Sequence, residues 1–183
     1  MWLTLAFTSA ALLGFYDAAK KQSLTGNAVL PVLLLNTLFS ALFLLPMIVS
    51  AECGFGWFDG TILAATSGTL RAHGLVLLKA VIVLTSWIFG YFAMKHLPIT
   101  IVGPINATRP VMVLVGAMLI FGERLNACQW TGVVLTLLSL FLLSRSSRRE
   151  GVDFRHNVWI LCIAVAALAA VVSGLYDLSL IHI

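Results

Sequence analysis

The sequence predicts an all-α, polytopic membrane helical bundle with about six transmembrane helices, in which a five-helix repeat unit is followed by the start of an inverted, truncated second copy. Three observations predict it. Of the 183 residues 61% are hydrophobic and only 10% charged, with a mean hydropathy of +1.05. That is too little polar side chain to cover even one soluble domain. Six apolar stretches stand along the chain, each near the roughly 20 residues a helix needs to cross the hydrocarbon layer. The first and sixth of them, moreover, resemble each other residue by residue. The same composition excludes a soluble enzyme, a secreted disulfide scaffold, a disordered tail and a coiled coil.

The first stretch runs from Trp2 to Ala19. No positive charge precedes it, and GFYDAAKK stands where a signal peptide would need a small-residue cleavage site, so it reads as a retained span. Ala28 to Ser50 forms the second. The connection from Ala51 to His73 carries four glycines, two acids and one arginine, and its Trp57, Phe58 and Ile62 suit the membrane interface. Gly74 to Met94 is the third span. Lys79 lies about a turn inside it, close enough for its stem to follow the helix while the ammonium reaches headgroups; a role in transport is the alternative. Leu97 to Phe121 is the fourth span, closed by the solvated Glu123 and Arg124. Asn126 to Ser144 and Asn157 to Tyr176 or beyond complete the set.

Charge in the loops sets orientation. The formal net charge of +4 is concentrated in the odd-numbered loops. These hold Lys20, Lys21, Lys95, Arg145, Arg148, Arg149 and Arg155, against Arg71 and Arg124 in the even-numbered ones. The count places the amino terminus outside, in an extracellular or periplasmic position, and the Arg-rich loop in the cytoplasm. It also accounts for the basic balance without nucleic acid, for which no binding is expected. The partners are the lipid bilayer and a small-molecule substrate; the sequence assigns no oligomeric state.

Compared with itself at an offset of 160, the chain pairs Ala6 with Ala166, Ala10 with Ala170, Gly14 with Gly174, Tyr16 with Tyr176 and Asp17 with Asp177. Small residues recur in any membrane helix, but GFYD and GLYD closing both spans is specific in so acid-poor a chain. An odd unit of five spans places the second copy upside down, as in many secondary transporters. The expected division is residues 1–144 as the first repeat, 145–156 as a basic loop and 157–183 as the first helix of a truncated second repeat.

Arg109 falls near the middle of the fourth span, where insertion costs about 2.5 to 3.5 kcal/mol. Pro110 cannot donate a backbone bond to the carbonyl of Asn106, nor Pro104 to that of Thr100. A broken or kinked helix would bring together a guanidinium, the Asn106 amide and a freed carbonyl, the type of interruption at which transporters hold substrate. The alternative is that Arg109 pairs with Asp17 and only holds the bundle together, or that Asp17 pairs with Lys20 and Lys21, three and four residues later. Ser86, Trp87 and Tyr91 add a polar-aromatic face on the third span, either cavity wall or packing. The candidate substrate-binding set is Arg109, Asn106, Trp87, Tyr91, Tyr16 and Asp17. His73, His96, His156 and His182 are dispersed, Cys53, Cys128 and Cys162 have no paired spacing, and no phosphate loop occurs. No metal, cofactor or catalytic chemistry is expected.

The run YFAMKHLPITIVGPINATRPVMVLVGAMLIFGERLNACQWTGVVLTLLSLFLL, Tyr91 to Leu143, resembles the EamA domain of the drug/metabolite transporter superfamily. That pattern has a proline-containing fourth helix, a closing Gly-Glu and a glycine-bearing fifth helix, filled here by Pro110, Gly116, Gly122, Glu123 and Gly132. The resemblance implies ten helices in two inverted repeats around a central cavity, transmembrane transport of small metabolites by alternating access, often outward, and a place in a bacterial inner (plasma) membrane. Family members generally start in the cytoplasm, against the loop charges here. Nor does the family pattern ask for an arginine beside the fourth-helix proline, so Arg109 points to the substrate of a subgroup, one with a carboxylate or phosphate. The alternative is a non-transporting assembly or sensor subunit in which Arg109 and Asp17 form a structural pair.

Overall fold

A computed structural model describes residues 2–58, 60–61, 64, 69–122, 124–147 and 157–181. Its elements are α1 (Trp2–Leu24), α2 (Val29–Glu52), α3 (Leu70–His96), α4 (Ile99–Phe121), α5 (Ala127–Ser147) and α6 (Val158–Ile181). Among the described residues there is no strand. Glu123, Ile62 and residues 148–156 of the basic loop, all singled out above, lie outside the described residues.

Local chemistry sets the helix ends. α3 begins where the Thr69 hydroxyl accepts from the Ala72 amide at 3.3 Å. It stops at Leu97 because Pro98 forces the preceding residue out of the helical region, and Leu97 is extended at φ −103°, ψ 148°. α4 ends on Gly122 at φ 66°, a left-handed conformation that glycine adopts without a Cβ clash. α5 opens with a reciprocal capping box. The Gln129 amide donates to Asn126 Oδ1 at 2.9 Å and the Asn126 amide to Gln129 Oε1 at 2.8 Å. Asn157 Oδ1 accepts from the Trp159 amide at the head of α6.

α2, α3, α4 and the Val158–Leu180 part of α6 are long and apolar enough to cross a membrane. α1 is of similar length but is diluted by Thr4, Thr8, Ser9 and Asp17, and the apolar part of α5 is shorter, Ala127–Ser139. Phe15 and Phe43 are 75% and 82% exposed, and Leu119 is 80% exposed. Apolar surface on that scale suits acyl chains, not water. α4 runs unbroken through Pro104 and Pro110, so of the break or kink expected there the break does not occur. The carbonyls of Thr100 and Asn106 lose their proline partners while the flanking bonds keep the helix intact.

The core is concentrated at one end of the bundle. It joins Leu24 of α1, Val29 and Leu33 of α2, Tyr91, Ala93 and Met94 of α3, Val102 of α4, and Ile163 and Ala166 of α6. Lys21 fastens α1 to this end by donating to the carbonyls of Met94 and Leu97 at 2.5 and 2.8 Å. There it satisfies the orphan acceptors of the α3 C-terminus and complements the helix dipole. α1 and α3 therefore run parallel.

α6 packs along α3 in the opposite sense. Trp159 at its start stacks on His96 with ring centroids 3.6 Å apart, Ser86 donates to the Ala166 carbonyl at 2.7 Å, and Tyr176 near its end donates to the Leu75 carbonyl at 3.1 Å. The two helices that match in sequence, α1 and α6, thus run in opposite directions. Their related tyrosines, Tyr16 and Tyr176, bond towards opposite ends of α3.

Lys79, expected to follow its helix towards the headgroups, has an ion-pair partner on α6. Its ammonium meets Asp177 at 2.6 Å, and both side chains are half-buried. A carboxylate was available across the helix interface, and pairing costs less than leaving either charge alone in the apolar layer. Lys79→Met should lower thermal stability by about 1–2 kcal/mol, between the values for exposed and buried pairs. The Lys79→Met, Asp177→Asn double variant should recover most of that loss. A double-mutant cycle of melting temperatures in detergent checks it, and additive effects would show that the pair contributes nothing.

Candidate functional site

Where α1, α3 and α4 approach one another, the polar side chains of an otherwise apolar chain converge. α1 supplies Tyr16, Asp17 and Lys20, spaced so that positions three and four apart share one face. The Tyr16 and Tyr91 hydroxyls lie 3.2 Å apart, and the Asn36 amide of α2 reaches the Tyr16 hydroxyl at 3.5 Å. Tyr91 is 2% exposed. The Lys20 ammonium sits over the Tyr91 ring, 4.4 Å from its centroid, and 5.4 Å from that of Tyr16. Each ring presents its negative face to the cation. Asp17 lies 4.0 Å from Lys20, the local i, i+3 pairing that the sequence offered.

α4 contributes Asn106 and Arg109, one turn apart. Arg109 feels the field of Asp17, and Lys20 feels that of Arg109. Yet among the described residues the ion pairs closer than about 4 Å are Lys20–Asp17 and Lys79–Asp177. Arg109 and Asp17 are neighbours without being a contact pair. Arg109 Nε and Asn106 Oδ1 are both buried and have no hydrogen-bond partner. A buried polar atom left unpaired costs about 1–3 kcal/mol. Two on adjacent turns of one helix mark a place where a further molecule is able to bond.

Of the six residues singled out from sequence, Tyr16, Asp17 and Tyr91 meet in this cluster, and Arg109 and Asn106 face it from α4. Trp87 does not join them. It remains 38% exposed and takes part in none of the cluster's hydrogen bonds or ring contacts. Of its former companions on α3, Ser86 is buried against α6, so the expected Ser86–Trp87–Tyr91 face is divided between two neighbours.

Two members went unrecognised in the sequence. In sequence Lys20 reads as a loop charge and as a partner for Asp17, though its four-residue spacing from Tyr16 is a usable signal. Asn36 is the single amide in the apolar α2, and an isolated amide in a spanning helix asks for a partner.

Along α4, Arg109 lies about 15 Å from the helix start at 1.5 Å per residue, and along α3 Tyr91 lies about 8 Å from the helix end. The cluster therefore extends from the middle of the membrane towards the side that carries Lys21, Lys95 and His96. Chemically it offers a forked cation, a second cation, a carboxylate, two amides and two phenolic hydroxyls.

In comparison with known proteins, residues 1–145 match the model of the EamA-like transporter family. No curated protein and no solved structure gives a significant match.

Proposed function

The chain belongs to the EamA-like transporter family, and from that premise we propose that it is a secondary transporter that exports a small metabolite across a bacterial inner membrane. In this reading Arg109 and Asn106 bind the substrate near the midplane, and Tyr16, Asp17 and Tyr91 shape the cavity around it. The observation that carries the proposal is the pair of unpartnered buried atoms, Arg109 Nε and Asn106 Oδ1, on one face of α4. A guanidinium at that depth is retained against its insertion cost when it has work to do. The opposite directions of α1 and α6 support a division into a first unit over residues 1–144 and an inverted one opened by α6, with alternating access as rocking of the two. The alternative of a structural Arg109–Asp17 pair has no contact distance in its favour.

The test is reconstitution. Vesicles carrying the full-length protein, loaded with a defined metabolite mixture, should lose specific components that protein-free vesicles and vesicles carrying Arg109→Ala retain, as read by mass spectrometry of the external medium. Identical profiles for all three would reject a transport function for this site.

A further inference from the structure

We infer that the buried, unpartnered Arg109 and Asn106, with the polar cluster of Tyr16 and Lys20, form an anion site, and that the molecule it takes is a small organic anion. The inference rests on the transporter reading above and adds the charge of the substrate.

The geometry of the charges carries it: the cations are Lys20 and Arg109 and the carboxylate is Asp17, which lies at ion-pair distance from Lys20 and not from Arg109. Asp17 is engaged by Lys20 at 4.0 Å, and Lys20 is further held by the faces of Tyr16 and Tyr91. The surplus positive charge therefore resides on Arg109, whose Nε is buried and unbonded. Asn36, Asn106, Tyr16 and Tyr91 are uncharged and do not neutralise it. A carrier that alternates access must close over its site, and closing over an uncompensated charge is opposed by its desolvation. An anion bonded to Arg109 makes the cluster neutral. Occlusion then becomes favourable when the site is loaded and stays unfavourable when it is empty, which is how a charge surplus couples binding to movement.

Thiol chemistry tests this without knowledge of the substrate. In full-length protein with Cys53, Cys128 and Cys162 replaced by serine, Asn106→Cys serves as reporter. The probes are the anionic 2-sulfonatoethyl and the cationic 2-(trimethylammonio)ethyl methanethiosulfonates. Each rate is normalised to that of the same reagent with free mercaptoethanol. The anionic reagent should be favoured by roughly tenfold, as expected for one surplus charge close by at intermediate dielectric. Arg109→Gln should remove most of that preference, Lys20→Gln should reduce it, and Asp17→Asn should increase it.

A preference for the cationic reagent, no preference, or a preference indifferent to Arg109→Gln overturns the anion site while leaving a water-accessible cavity. Failure of both reagents to react means the site is dry. That result overturns the transporter reading itself, and the anion site with it.

Discussion

Arg109→Ala in the full-length protein should lose transport by roughly a hundredfold or more while inserting and purifying as the parent does. The magnitude follows from removing a charged, forked donor, each of whose bonds to an anion contributes about 1.5–3 kcal/mol. Insertion should not suffer, because deleting a charge near the bilayer centre removes a cost. Arg109→Lys should restore activity only in part, since an ammonium lacks the planar fork. If Arg109 instead served the bundle as a partner of Asp17, the single substitution should lower thermal stability. The Asp17→Asn, Arg109→Gln double variant should then regain both stability and transport. Efflux from vesicles and melting temperatures, measured on the same preparations, separate the two outcomes. A stable and fully active Arg109→Ala protein would refute both.

Gly174→Ala should destabilise the bundle by about 1–3 kcal/mol, the usual range for forcing an extra carbon into a packed interface. A Cβ at that position would lie 2.8 Å from Val113 Cγ2 and 3.3 Å from its Cγ1. Valine, branched at Cβ and confined in a helix to one dominant rotamer, has little room to turn away. The reciprocal contact is softer. A Cβ at Gly116 would meet Leu175 Cδ2 at 2.8 Å and Cδ1 at 2.9 Å, atoms at the far end of a flexible side chain. Gly116→Ala should therefore cost less than Gly174→Ala, and the modest gain in helix propensity from alanine will not reverse the order. Val113→Ala should rescue Gly174→Ala and leave Gly116→Ala unaffected. Melting temperatures of the single and double variants decide it, and equal tolerance of alanine at both positions would show that α4 and α6 do not pack this closely.

The glycines illustrate how far the sequence reaches. Gly14 and Gly174 occupy matching places in α1 and α6, and nothing in the sequence distinguishes them. In the fold a Cβ at Gly14 meets nothing within 4 Å, whereas Gly174 is pressed against α4. The Tyr-Asp pairs behave alike in sequence and differently in space. Tyr16 bonds to a hydroxyl of α3 and Tyr176 to a backbone carbonyl, while Asp17 stays beside its own helix neighbour and Asp177 crosses to Lys79.

Trp57 is 69% exposed and stacks on Phe55 at 5.1 Å. Trp87 was grouped with Tyr91 by helical spacing, and spacing alone did not reveal which faces of α3 the neighbouring helices would cover.

By itself the sequence determined the class of fold, the six helices and most of their ends. Those features rest on short-range chemistry: apolar runs of membrane length, Leu97 before Pro98, Asn126 answered by Gln129, and Gly122 where a left-handed turn was needed. It also singled out Arg109, because a charge in the middle of an apolar run is conspicuous in any alignment of helix to membrane. Only the tertiary structure decided which polar groups meet: Lys20 with Tyr91, Asn36 with Tyr16, Lys79 with Asp177, and, among the described residues, Arg109 with its Nε left unbonded. The reason is physical. A helix of a soluble protein carries an apolar stripe that announces which way it faces, whereas helices apolar on nearly every side, as these are, have no stripe to read. Their rotation about their own axes is set by close packing at small residues and by a few long-range polar contacts, and those exist only once the helices have come together.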